Sequence, residues 1–293
     1  MSAHTPASAV PIRALDRMGI GSMARRQVLY FTLAAFIPTV VSMTIALLIF
    51  RADHMDTLIR RQREIAERTA QSVTDLLSTV SSQLTLQADA GDFESEEGRK
   101  RSVYSLFQNI NGLETVFILD KAGRELLRRD RYQVSGQGYS NLYRDTDLFR
   151  ATQAGDIYYS PVSFSSYSEP IISIGVPQYD YRNDVVGVLG LRLNLKVMWD
   201  MLALADIGES GYAYVVDENQ RLIGHPDPSL ALQNPDLSGV ESIQSVFQQG
   251  NGQAVMEGLS GEAVLFASAA LPDPGWTAIV ETPATEALSS LRT

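Results

Sequence analysis

Tyrosines are concentrated between residues 132 and 181, with other polar and aromatic groups among them. Tyr143, Arg144, Thr146 and Phe149 fall in one loop-and-helix segment. Tyr159, Ser163 and Tyr167 follow in a strand and its turn, and Ser173 falls on the next strand. These side chains suit non-covalent recognition. Apolar walls with a few converging hydroxyls and a guanidinium make a pocket for a small molecule. Together they form the expected ligand-binding set. Side chains alternate along a strand, so Tyr158 and Tyr159 cannot both face inward.

The remaining reactive types point to no catalysis. His225, one of three histidines, precedes Pro226 and reads as a turn residue. Asp120 and Asp217 end strands at hairpins, where an Asp accepts backbone N–H bonds. They are not read as a metal site, because no third and fourth oxygen ligands can be placed beside them. The default reading of Arg128-Arg129 is an exposed, solvated pair, with anion binding as the alternative. There is no nucleophile motif, phosphate-binding glycine loop or His-rich spacing. No enzyme activity, cofactor or metal is expected.

Two stretches open alike: Phe117-Ile118-Leu119-Asp120 with Arg124, and Tyr214-Val215-Val216-Asp217 with Arg221. Such an echo marks two copies of one unit. In the first copy, helix is expected over Glu96–Ile110 and strands over Glu114–Asp120 and Arg124–Arg129. A short helix ending near Gly155 comes next, then strands Tyr158–Phe164, Ile171–Tyr179 and Val185–Asn194. Leu195–Ala205 reads as a connecting helix. The second copy repeats the order: Tyr212–Asp217, Arg221–Gly224, helix Val240–Gln249, then Gln253–Gly258, Ala263–Ala270 and Trp276–Glu281. Antiparallel strands with helices on one face make an α+β fold.

Upstream, Val28–Phe50 carries no charge and lies between Arg25-Arg26 and Arg51. At about 1.5 Å per residue it reaches roughly 34 Å, enough to cross a bilayer core. It is expected to be an uncleaved membrane anchor. Arginines flank it on both sides, so positive-inside counting does not orient it. From Arg51 to about Asp89, Leu58, Ile65, Val73, Leu76, Val80 and Leu84 recur at three- and four-residue steps, with Gln62 and Thr69 in the same stripe. That stalk suits the domain's own strands or a partner's stalk equally well. The net charge is −10. Residues 1–50 hold four Arg and one Asp, so the rest carries −13. This acidity disfavours nucleic acid and anionic lipid and favours a cationic or neutral small ligand. There are no cysteines, hence no disulfides.

The run Asp206–Asp217 with His225-Pro226-Asp227 resembles the second half of double Cache domains. So does the series Phe149, Gly155, Ser160, Pro170–Ile174 and Val185–Val188, closed by Trp276, Pro283 and Glu286. The resemblance implies an extracytoplasmic sensor with two tandem PAS-like modules on a long N-terminal helix, the ligand lying in the membrane-distal module. It implies a cytoplasmic segment 1–27, a membrane helix 28–50, helices over 51–110, a distal module 111–194, a connecting helix 195–207 and a proximal module 208–286. Residues 287–293 would lead toward a second membrane helix. The implied setting is a bacterial inner membrane, with residues 51–293 periplasmic or extracellular and the full-length chains dimeric. The implied parent is a histidine kinase of a two-component system; alternatives are a chemoreceptor, a cyclic-nucleotide enzyme, or an anchored interaction module with a vestigial pocket. Amino-acid-binding members carry an Arg around the distal helix. Here the aligned positions are Asn141, Thr146, Leu148, Phe149 and Thr152, and only Phe149 is aromatic. A ligand carboxylate would lose its bidentate partner there, which disfavours amino acids unless Arg144 substitutes.

Overall fold

Helix α1 (Ser22–Ala90) is set by a stripe of small and branched residues. Ala66, Ala70, Val73, Leu77, Val80, Leu84 and Ala88 recur every three or four positions and are all buried. In the computed structural model, residues 22–131, 142–165, 169–249 and 253–289 are described, without the side chains of 22–29, 33, 46–55, 249, 253–254 and 288–289. The chain divides into two units, 1–56 and 57–293.

In the first unit the helix contains Pro38, and its described apolar side chains are exposed, Phe31 at 77% and Phe36 at 68%. Among the described residues no helix is long and apolar enough to cross a membrane. The charge-free run 28–50 extends at both ends past the described side chains, and the expected span finds no support in the structure.

In the second unit, α2 (Glu96–Asn109) starts at Ser95, whose Oγ accepts from Gly98 N at 2.9 Å. The first sheet comprises β1 (Leu113–Asp120), β2 (Glu125–Asp130), β3 (Tyr158–Tyr159), β4 (Ser163–Phe164), β5 (Pro170–Tyr179) and β6 (Val185–Asn194). Its order is β2-β1-β6-β5-β3, with β4 also on β5, and it is antiparallel throughout. The single strand expected over Tyr158–Phe164 is split in two around Pro161, which has no N–H to give a ladder. Helix α3 (Asp147–Gln153) lies between β2 and β3 in sequence.

Helix α4 (Lys196–Ala203) leads to the second sheet: β7 (Tyr212–Val216), β8 (Leu222–Gly224), β9 (Gln253–Glu257), β10 (Ala263–Leu271) and β11 (Trp276–Pro283). Its order, β8-β7-β11-β10-β9, is the first sheet's order repeated. Helix α6 (Glu241–Gln249) takes the place of α3. Two short helices had no sequence expectation. They are α5 (Pro228–Gln233), capped by Asp227 with Pro at its start, and α7 (Ala284–Ser289).

The hairpins agree in the backbone bonds that each Asp accepts. Asp120 Oδ1 accepts from Ala122 N and Arg124 N at 2.8 and 2.9 Å, and Asp217 Oδ1 from Asn219 N and Arg221 N at 2.9 and 2.8 Å. Burial alone would push Asp120 up, but the N–H bonds from Arg124 and Ala122 hold it below the usual carboxylate range. The later turns match too, with Ser165 N to Glu169 O at 2.8 Å and Gly258 N to Glu262 O at 2.9 Å.

The stripe of α1 packs on the chain's own sheets. One apolar cluster joins it to one face of each sheet (Ile118, Ile174 and Leu191; Ala213, Ala267 and Val280) and to Met198, Trp199 and Leu202 of α4. Trp199 Nε1 donates to Ile223 O at 3.2 Å, so the ring is buried with its polar edge satisfied.

Candidate functional site

With one face of each sheet given to α1 and α4, strand alternation fixes what lies on the other. On the first sheet that face carries Thr115, Phe117 and Leu119 of β1, alternating with the core residues Val116 and Ile118. By register, Arg128 lies opposite Phe117 and Asp130 opposite Thr115; past a bulge, Glu125 lies opposite Leu119. Strand β6 adds Val188, Gly190 and Arg192, while Leu189, Leu191 and Leu193 enter the core. Strand β5 adds Ser173 and Gly175, and β3 adds Tyr158.

Aromatic rings form the floor. Phe117 stacks on Tyr143 with centroids 5.2 Å apart and planes 12° off parallel. Leu119, Leu148, Phe149 and Val188 complete this small cluster, with Tyr143 and Tyr158 at its margin. The strand centres carry no side chain. A Cβ on Gly190 would lie 2.3 Å from the Phe117 ring, and one on Gly175 would lie 3.0 Å from Leu148. Glycine is what lets the aromatic floor and α3 approach the sheet this closely.

A polar chain runs along one side. Thr115 Oγ1 donates to Asp130 Oδ1 at 2.5 Å, Arg128 Nε to Asp130 Oδ2 at 3.3 Å, and Arg128 Nη1 to Tyr143 Oη at 3.4 Å. Beside it stands Glu125, whose buried Oε2 has no hydrogen-bond partner among the described residues. Burial pushes this carboxyl up, and Arg128 nearby only partly offsets that. Tyr143 is also pushed up, by burial first and then by Glu125, so it keeps its proton. At the other end of the face Arg192, between Thr115 and Ser173 in register, is exposed. Among the described residues it has no hydrogen bond or ion pair. A free guanidinium, a buried acceptor without a donor, and stacked rings can bind a small polar molecule.

The expected set is partly assembled here. Tyr143 and Phe149 are in the floor, and Ser173 flanks Arg192. Thr146 is exposed and acts as the α3 cap, its Oγ1 accepting from Phe149 N at 3.2 Å. Ser163 is exposed at the margin, its Oγ 3.4 Å from Ile171 O. Arg144 is exposed, and its backbone packs against Gly123. Tyr159 is misplaced: it pairs with Ile174 and packs on the α1 side, so Tyr158, paired with Gly175, is the tyrosine that faces the site. Tyr167 lies outside the described residues. Sequence reasoning missed Arg192 and Glu125. The alternation Leu189-Gly190-Leu191-Arg192-Leu193 would have found the arginine; Glu125 follows a bulge that no periodicity reveals.

The matching face of the second sheet is closed. Glu281 on β11 is fully buried and accepts from Tyr212 Oη at 2.8 Å, Tyr214 Oη at 2.7 Å, Ser242 Oγ at 3.1 Å and Leu259 N at 3.0 Å. Burial, then Glu281, raises both tyrosines, which stay protonated donors. His225 stands edge-on to Tyr212 at 5.1 Å, and its Nδ1 accepts from Asp227 N at 2.8 Å. Burial pushes it below the usual histidine range. No group of His, Asp and Glu among the described residues is arranged to hold a metal.

Comparison with known proteins gives a consistent picture. A family model described as a Cache domain matches residues 50–291. No curated protein matches. Among solved structures, the ligand-binding domain of the Pseudomonas aeruginosa amino-acid chemoreceptor PctC in complex with GABA superposes with a TM-score of 0.57 at 18% identity, covering 76% of this chain and 98% of that one. The extracellular domain of a putative histidine kinase gives 0.63 at 14% identity, covering 79% and 99%. The ligand-binding domain of the Pseudomonas fluorescens chemoreceptor CtaA with L-isoleucine gives 0.60 at 16% identity, covering 82% and 98%. At these identities the likeness is one of fold.

Proposed function

Because this chain belongs to the Cache domain family, we propose that it is the ligand-sensing region of a membrane-anchored receptor, with its ligand on the face of the first sheet turned away from α1. The observation that carries this reading is the pairing, on one face, of a free Arg192 with the unpartnered Oε2 of Glu125. An anionic end of a ligand would take Arg192 in a bidentate bond, and an N–H donor would satisfy Glu125. Glu125 and Val188 share a row through Leu119, and Arg192 is four residues further along β6. At about 3.3 Å per residue that is roughly 13 Å of strand. The reading therefore favours a zwitterion whose charges are several bonds apart. Two of the proteins of known structure above, both chemoreceptor domains, were solved with GABA and with L-isoleucine. Arg192 supplies the partner that the distal helix lacks, which removes the sequence argument against amino acids, and a zwitterion is neutral overall.

The charge-free run Val28–Phe50 supports a membrane anchor, which would place the sheets in the periplasm. Output would pass through the core that α1, α4 and both sheets share. Glu286 of α7 accepts from Glu209 N and Ser210 N at 2.8 and 2.9 Å, and Gln62 of α1 bonds Thr282 of β11, so both chain-end helices are tied to the second sheet. A ligand that prefers one arrangement of the first sheet would shift that population. The parent is read as a histidine kinase or chemoreceptor, and this region performs no catalysis.

The test is thermal unfolding of the full chain with GABA, 5-aminovalerate and L-isoleucine. A ligand at a hundred times its dissociation constant adds about 2.7 kcal/mol. A saturable shift with an ω-amino acid, abolished in Arg192→Gln and in Glu125→Gln, is expected. A shift that survives both substitutions would place the ligand elsewhere.

A further inference from the structure

Strand alternation splits the Arg128-Arg129 pair. Arg128 goes to the ligand face and Asp130, while Arg129, opposite Val116, goes to the reverse face. There Arg129, Arg131, Tyr104 and Phe107 line a groove of about 210 Å³ between α2 and the edge strand β2. Arg131 is fixed in place. Its Nε donates to Leu113 O at 2.8 Å, and its guanidinium carbon lies 5.9 Å from the Phe107 ring centroid. Its two terminal nitrogens have no partner among the described residues, and neither does Arg129. The adjoining segment 132–141 contains no Asp or Glu, so it supplies no counter-charge.

Arginines on an edge strand commonly serve to block strand pairing, and such side chains are free to move. This pair differs in having one guanidinium held by a carbonyl and a ring, with an exposed aromatic wall beside it (Tyr104 is 57% exposed). In a chain of net charge −10 it also brings two cations together. We infer that this groove is a second binding site, for a small organic anion. The carboxylate or phosphate takes the two guanidiniums, and a flat apolar body lies against Tyr104 and Phe107. The site is independent of the sensing face, which lies on the other side of the same sheet.

Calorimetric titration of the full chain with benzoate and phenyl phosphate tests this, with benzyl alcohol and inorganic phosphate as controls. At least one aromatic anion should saturate and bind at least about tenfold tighter than either control. The tighter of the two identifies the head group. Arg131→Gln and Arg129→Gln should each weaken it about tenfold, and added salt should weaken it further. Both side chains are exposed, so an unchanged melting temperature confirms folding. Arg192→Gln should leave this binding untouched. Lack of saturation by both aromatic anions, equal binding of inorganic phosphate, or binding that survives the double substitution would overturn the inference.

Discussion

Arg192 and Glu281 occupy the same place in two copies of one sheet. Arg192 stands between Thr115 and Ser173, and Glu281 between Tyr212 and Phe266. One row along, Phe117, Gly190 and Gly175 are answered by Tyr214, Ile279 and Ser268. The second sheet has replaced glycine with isoleucine and a free cation with an anion that its own tyrosines satisfy. Side chains close around that anion. In the first sheet the Phe117 ring and α3 close over the glycines, and a donor and an acceptor are left unspent among the described residues. Identical topology therefore leaves unspent polar groups on one copy's face and satisfies them on the other's. The difference rests on a few inward positions.

The largest expected effect comes from exchanging that central pair. Glu281→Leu leaves two tyrosine hydroxyls, Ser242 and a backbone N–H without an acceptor, and at about 1–3 kcal/mol per buried unpaired group the loss should exceed about 3 kcal/mol. Arg192→Leu should change stability by less than about 0.5 kcal/mol while abolishing ligand response. Urea unfolding measures both, and equal losses would erase the distinction.

Gly190→Ile writes the second sheet's residue into the first. The Phe117 ring must move, at a cost of about 1–3 kcal/mol, and ligand-induced stabilisation should vanish. A variant that still responds to ligand would show that the row of Phe117 and Gly190 is not the site.

Acid should affect the two faces with opposite sign. His225, packed against Tyr212 and Tyr214 near Glu281 and Asp227, titrates below its unfolded value of 6.5. Its contribution is complete above that pH and is lost as pH falls from there through the folded value. Glu125 titrates above its unfolded value of 4.5, so the ionised group costs stability at neutral pH and that cost disappears on acidification. In melting curves across pH 4–8, His225→Phe should remove the decline that begins near 6.5. Glu125→Gln should stabilise the chain at pH 7 but not below about 4.5. Parallel profiles for the two variants would contradict the assignment.

The smallest effect concerns the matched hairpins. Gly123 and Gln220 hold the same left-handed turn position, with φ of 77° and 61°. Gln220→Gly should stabilise by about 0.5–1 kcal/mol. Gly123→Ala should cost more than about 1 kcal/mol, because its Cβ would lie 2.8 Å from Arg144 N. Chemical denaturation resolves both.

Much of this architecture was legible in the chain. The Asp-to-Arg hairpins announced the repeat, because an Asp that accepts two backbone N–H bonds works through local atoms alone. The site was legible only in part. Phe149, Tyr143 and Ser173 lie on the candidate face, whereas Tyr159 packs on the α1 side and Tyr158 takes the place expected of it. A two-residue strand is too short to show its own phase, and its pairing with Gly175 and Ile174 sets the phase instead.

The sequence by itself determined most of the elements and their order, though not α5, α7 or the break at Pro161. Helical and strand periodicity, turn aspartates and capping residues act over a few neighbouring residues and need no tertiary partner. Only the tertiary structure decided where the α1 stripe docks, which strand faces are covered, and that Arg192 is left unpaired while Glu281 is buried among donors. Those outcomes depend on contacts between residues far apart in the chain, up to 220 positions for Gln62 and Thr282. Burial and hydrogen-bond satisfaction are properties of such assembled neighbours, and no local pattern encodes them.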